Sequence, residues 1–241
     1  MIARVGEAAA TTAVGAALAG VTWSIFELGW PAAIVGGLNG LIGGWRRTYG
    51  WRSGRGVVAV LLDSTWAAPM TVSALVAHGV AVFTPARGGY VRALSERQDR
   101  HVYAGGLQLR RGFVIALGNT VNNVGRDVAA SPRRQQLVRD HEDLHIWQAR
   151  WFGPLYPVIY VGWMVLMGPV GAVVWLVRRP RRAPLFRVTE TFAYYMNPFE
   201  WWAYSREGNW PPAGMVRELG WRRPMVRPVN RAPAAPPAAP G

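Results

Sequence analysis

The sequence predicts a mostly α-helical membrane protein, in which apolar helices or helical hairpins accompany a small β-hairpin element and one metal-binding helix. Three observations lead there. Four apolar blocks occupy residues 5–29, 32–45, 56–83 and 155–177. The 27 basic residues are all arginine against 13 acidic residues, a net charge of +14, and they crowd beside those blocks. Arg46, Arg47, Arg52 and Arg55 follow one block, and Arg178, Arg179, Arg181 and Arg182 follow another. Many of the 13 tryptophans stand near the ends of apolar stretches, a placement that suits a membrane interface. A basic surface is also the footprint of nucleic-acid binding. No nucleic-acid motif accompanies these arginines, so the expected partner is a lipid bilayer and no nucleic acid. The chain has no cysteine, which excludes disulfides and thiolate ligands and leaves histidine and carboxylate to hold any metal.

Taken in order, residues 1–83 read as a membrane-associated helical region. Block 5–29 resembles a signal peptide in charge pattern, but a second apolar block comes directly after Pro31, which favours a membrane helix. Ala32 to Trp45 holds Gly36, Gly37, Gly40, Gly43 and Gly44. Such spacing lets helix backbones approach closely, or else marks a flexible stretch. Asp63-Ser64-Thr65 and Pro69 interrupt the third block. Asp63 is either a functional intramembrane charge, a cap for a helix starting at Ser64, or an interfacial residue. His78 reads as structural.

Residues 84–221 read as a second domain, with an apolar hairpin at 155–177 broken at Gly168-Pro169. Glycine-bounded runs at Leu107–Leu109 and Phe113–Leu117 predict short strands. Phe113–Leu117 is a candidate substrate-binding edge, with an ordinary core hairpin as the simpler reading. Residues 118–123 read as a polar loop. Ser131 and Pro132 supply an N-cap and first residue for a helix that should end near Gly153-Pro154. Residues 222–241, rich in proline, alanine and arginine, read as a disordered tail.

The chemistry concentrates in His141-Glu142-Asp143-Leu144-His145. Histidines four apart share one helix face and can bind one ion, most often Zn2+, while Glu142 acts as base toward the attacking water. The plain alternative is an amphipathic helix with two surface histidines, which the apolar residues Leu144, Ile146, Trp147, Trp151 and Phe152 argue against. Gln148 is either a hydrogen-bond partner of a ligand or a surface amide. A catalytic zinc needs a third protein ligand. The candidates are His78, His101, Glu190, Glu200 and Glu207. Asn197 and Pro198 start a helix that places Glu200 one turn in, where it can be a ligand or a capping-box glutamate. The residues alone leave those two roles evenly matched.

The run His141 to Gln148, then Trp151-Phe152-Gly153-Pro154-Leu155-Tyr156, then Asn197-Pro198-Phe199-Glu200 with Ala203, resembles a family of largely uncharacterised bacterial membrane-associated proteins. Their pattern is HExxHxxQ, a Gly-Pro-Leu turn and a downstream NPFExxA, and they are similar to small gluzincin-type zinc metallopeptidases. The likeness covers roughly residues 139–205. It implies His141, His145 and Glu200 as zinc ligands, Glu142 as general base, and a peptide or protein substrate that it does not name. Asp143 and Trp147 depart from the pattern, and are expected to alter only the helix surface. Tyr194 or Tyr195 is a candidate oxyanion donor, with aromatic packing as the alternative role.

The same residues admit two rival readings: a non-enzymatic membrane protein with a structural or absent metal, and a basic nucleic-acid-binding protein. Glu200 as a ligand must lie on the same membrane side as His141, so a single crossing at 155–177 is expected to exclude it. Paired or re-entrant helices in the cell membrane, with the metal site at the cytoplasmic face, satisfy that condition and the positive-inside bias.

Overall fold

The computed structural model describes residues 1–84, 89–109, 112–178 and 183–229. Arg179, Arg181, Arg182 and the tail beyond 229 lie outside the described residues. The chain is mostly helical and forms two compact units interleaved in sequence. One comprises residues 1–128 with 142–159, the other 129–141 with the chain from 160 onward. Their boundary is not the one expected at 83/84.

In the first unit, α1 (Ile2–Ser24) and α2 (Gly29–Trp45) pack through small residues. Ala8, Thr11, Gly15 and Ala19 are buried on α1, and Gly36, Gly40 and Gly44 on α2. The backbones meet so closely that a Cβ on Gly36 would strike the Gly15 carbonyl, and one on Gly40 the Thr11 carbonyl. The glycine-rich block is thus a helix, because its missing side chains are what admit α1. Trp30, Ile34, Leu38, Leu41 and Trp45 remain exposed on the outer side of α2. Small residues inside and large apolar ones outside invert the pattern of a helix pair in water and match packing in lipid. Gly36→Val should lower the stability of the detergent-solubilised protein by about 1–3 kcal/mol through overpacking. Gly6→Val, where nothing lies within 4 Å, should be silent in the same thermal unfolding measurement.

The third block is two helices, α3 (Arg55–Ser64) and α4 (Ala68–Phe83), bent by 95°. Pro69 sits in the first turn of α4, where a missing amide costs nothing. Asp63 lies in the last turn of α3 rather than capping a helix, and it is buried. Next comes a three-stranded sheet: β1 (His101–Val102), β2 (Ile115–Leu117) and β3 (Thr120–Asn122), in the order β1-β3-β2. The hairpin is β2–β3, turning through Gly118 at φ 53°, so only its first strand falls within an expected run, Phe113–Leu117. Leu107–Leu109 forms no strand. Thr120–Asn122, expected in a polar loop, is instead the fully buried central strand. Polar residues are tolerated there because the backbone is paired on both sides and Asn119 beside it is bonded to Asn39 and Asp63.

Two buried ion pairs anchor α6 (Asp143–Phe152). Arg150 donates from Nε to Asp63 Oδ1 at 2.8 Å and from one terminal nitrogen to Asp63 Oδ2 at 2.9 Å. Arg100 donates to Asp143 Oδ1 at 2.6 Å, and Arg55 reaches Oδ2 at 3.4 Å. Trp147 lies under the guanidinium groups of Arg55 and Arg150, at 4.7 and 4.8 Å. Asp143 and Trp147 are therefore buried anchors, not surface variations.

In the second unit the correction concerns the fourth block. It is one unbroken helix, α7 (Leu155–Arg178), not a hairpin. Pro169 removes one backbone donor, yet the helix runs on through it without a break. At 24 residues α7 is about 36 Å long. α1 and α7 are both long and apolar enough to cross a membrane. α7 pairs instead with the segment after it, because α8 (Leu185–Glu190) and a π-helical turn (Thr191–Tyr195) run back along its length. Trp175 donates to the Ala183 carbonyl, Trp163 to the Phe192 carbonyl, and Asn197 to the Tyr160 carbonyl. Val188, Phe192 and Met196 fill the seam with Trp163, Met167 and Val174. The chain thus returns toward the start of α7 before α9 (Pro198–Glu207), and one crossing by α7 does not carry Glu200 away. Residues 222–229 are not a loose tail, since Met225 donates to Ser205 and Val229 to the Arg206 carbonyl.

Candidate metal centre

The helix carrying the motif begins as expected. Ser131 caps α5 (Pro132–Gln136), and its side chain accepts from the Arg134 amide at 3.4 Å. It ends as expected at Gly153, φ 50°. Between α5 and α6 the coil widens to a π turn over Leu137–Glu142, which the sequence did not announce. Such turns rotate the later residues of a helix relative to the earlier ones, and they occur often at functional sites. A second π turn, Thr191–Tyr195, immediately precedes the helix bearing Glu200.

His141, Glu142 and His145 are all buried, at 3, 5 and 7% exposure, which removes the reading of two surface histidines. His145 Nδ1 lies 2.8 Å from Gln148 Oε1 and 3.3 Å from the Tyr156 hydroxyl. With Gln148 Oε1 accepting there, the ring proton lies on Nδ1 and Nε2 is the nitrogen that could ligate a metal. Gln148 is a partner of a candidate ligand, one of the two roles foreseen for it.

Glu200 is not placed as a capping glutamate. Asn197 is the N-cap, its side chain accepting from the Phe199 amide at 3.0 Å. The Asn197 amide that a capping glutamate would bind is already given to the Tyr194 carbonyl at 2.9 Å. Glu200 instead accepts from the Tyr160 hydroxyl at 2.6 Å through Oε1 and turns Oε2 to His141 Nε2 at 3.5 Å. Two ligands of a tetrahedral ion with bonds of about 2.0–2.1 Å stand roughly 3.3 Å apart, so the observed spacing fits shared coordination. His141, His145 and Glu200 each offer an atom within 4.8 Å of the others. This buried group could hold a metal ion. Two imidazoles and a carboxylate suit zinc, though the same donors accept other divalent metals.

The other candidates fall elsewhere. His78 Nδ1 is 2.6 Å from the Tyr103 hydroxyl, and its ring stands edge-on to His101 at 4.5 Å. Burial, with His78, Arg46 and Arg150 nearby, holds His101 well below the usual histidine range, so it stays neutral. Glu190 pairs with Arg187 at 3.6 Å. Tyr195 fills the space that a Cβ on Gly214 would need. Tyr194 is buried, and burial first, then the Glu200 charge and Tyr204, raise its hydroxyl pKa well above the ordinary tyrosine range. Sequence reasoning missed Tyr156 and Tyr160, which stand 11 and 15 residues beyond His145 on the next helix. Their four-residue spacing on one face of α7 was the available signal. Glu207, weighed only as a ligand, faces the other nitrogen of His141: Oε2 lies 3.4 Å from Nδ1.

Comparisons with protein-family models, curated proteins and solved structures match nothing.

Proposed function

We propose that the protein is a membrane-associated zinc metallopeptidase that hydrolyses peptide bonds. The observation that supports this most is the turn of Glu200 Oε2 away from its capping amide and toward His141 Nε2. Zinc bound by His141, His145 and Glu200 would supply Lewis acidity and a water whose pKa falls to near neutrality. Glu142, buried in the turn between the two histidines, takes the proton of the attacking water and returns it to the leaving amine. Tyr194 or Tyr195 would be the donor to the developing oxyanion. The peptide would add to β2, an edge strand of the sheet that packs against α6. The apolar, exposed flanks of α1, α2 and α7 support a location in the cell membrane, and the arginine-rich polar segments favour the cytoplasmic face for the site.

The test is hydrolysis of a mixed peptide library by the zinc-loaded protein in detergent, read by mass spectrometry. Glu142→Gln is expected to keep one zinc per chain and to lose at least about a hundredfold in rate, the usual contribution of a positioned base. Equal turnover by Glu142→Gln would remove the peptidase reading. Zinc uptake without any cleavage would favour a structural metal in a non-enzymatic membrane protein.

A further inference from the structure

Glu207 lies beyond the HExxH and NPFExxA patterns, and its surroundings differ from those of an ordinary surface carboxylate. It is the last residue of α9, two turns after Glu200, and its side chain is wholly buried. Oε1 is paired with an Arg133 terminal nitrogen, and the Glu207 carbonyl accepts from Gln136 Nε2 at 3.2 Å. Oε2 faces His141 Nδ1 at 3.4 Å. The His141 ring therefore stands between two carboxylates, with Glu200 at Nε2 and Glu207 at Nδ1, while Tyr204 closes one edge at 4.5 Å.

These placements divide the two acids by task. A histidine that ligates through Nε2 must carry its proton on Nδ1, and a carboxylate at Nδ1 fixes that tautomer, orients the ring and makes Nε2 more basic. Glu207 is itself held by Arg133, eight residues before His141 on the same helical segment. The chain Arg133–Glu207–His141 thus begins and ends on that segment, with α9 supplying its middle.

We infer that Glu207 is a positioning residue for the metal centre: it orients His141 through Nδ1 for coordination by Nε2, and is itself oriented by Arg133. The inference rests on the zinc reading above, and the experiment separates the two. Zinc affinity of the full-length protein in detergent is measured by chelator competition, with the Co2+ absorption spectrum as a second readout. Glu207→Gln should still bind one Zn2+, 10- to 100-fold more weakly than wild type. Its Co2+ absorption band should shift, because His141 becomes a poorer donor. Arg133→Gln breaks only the outer pair, and should weaken zinc binding less than Glu207→Gln does. A purely structural Glu207 would lower thermal stability in both variants while leaving affinity within twofold of wild type and the Co2+ band unmoved; that result overturns the inference alone. Failure of the wild type to take up Zn2+ would overturn the metal reading and this inference with it.

Discussion

Glu200→Ala should weaken zinc binding by on the order of a hundredfold or more, so that the purified protein carries well under one zinc per chain. That magnitude reflects the removal of one of three protein ligands from a site whose binding free energy is of order 10 kcal/mol. His141→Ala should do the same. The measurement is metal content after dialysis against a weak chelator, compared with wild type. The capping role makes a different forecast. A lost capping glutamate would cost roughly 1 kcal/mol of stability and leave the metal in place. The structure already weighs against that role, because the Asn197 amide is bound to the Tyr194 carbonyl and Glu200 Oε1 to Tyr160. Retention of one zinc by Glu200→Ala would return Glu200 to the helix terminus and leave His141 and His145 with another partner.

Arg150→Met should destabilise the protein by about 3–5 kcal/mol, the cost of stranding a buried charge when its partner is removed. Arg150 is 1% exposed and Asp63 3%, and the two share a bidentate pair that ties α3 to α6. The double variant Asp63→Leu with Arg150→Met should recover part of the loss, since a buried pair replaced by apolar groups is often near neutral. Recovery stays incomplete because Asp63 also accepts from Asn119 and Arg150 also donates to the Asp99 carbonyl. Chemical or thermal unfolding in detergent measures both. A single-variant loss below about 1 kcal/mol would mean that Asp63 is reached by water, and that α6 owes its position to Trp147 and the Arg100–Asp143 pair. Zinc content should fall with Arg150→Met only as far as unfolding does, which separates an anchor from a ligand.

The sequence by itself determined the elements that rest on local chemistry. Residue spacing along one helix placed His141 and His145 on a common face; Ser131 with Pro132, and Gly153, set that helix's ends. Asn197 and Pro198 started α9, and the glycine-bounded run Phe113–Leu117 marked β2. Each depends on a few neighbouring residues, so each was readable. Hydropathy also marked α1 and α7, but Pro169 misled, because the helix runs on through it without a break.

Only the tertiary structure decided the rest. Whether Glu200 caps or coordinates depended on which amide and hydroxyl reached it, and Tyr160 arrives from 40 residues away. That Asp63 is an anchor rather than a cap depended on Arg150, 87 residues further on. Polar Thr120–Asn122 became a central strand because its neighbours β1 and β2 paired its backbone. The two π turns stand in both segments that carry candidate ligands, and no residue in either dictates the extra width. Buried polar groups take their roles from whichever partners folding delivers, and long-range partners leave no periodic trace in a sequence.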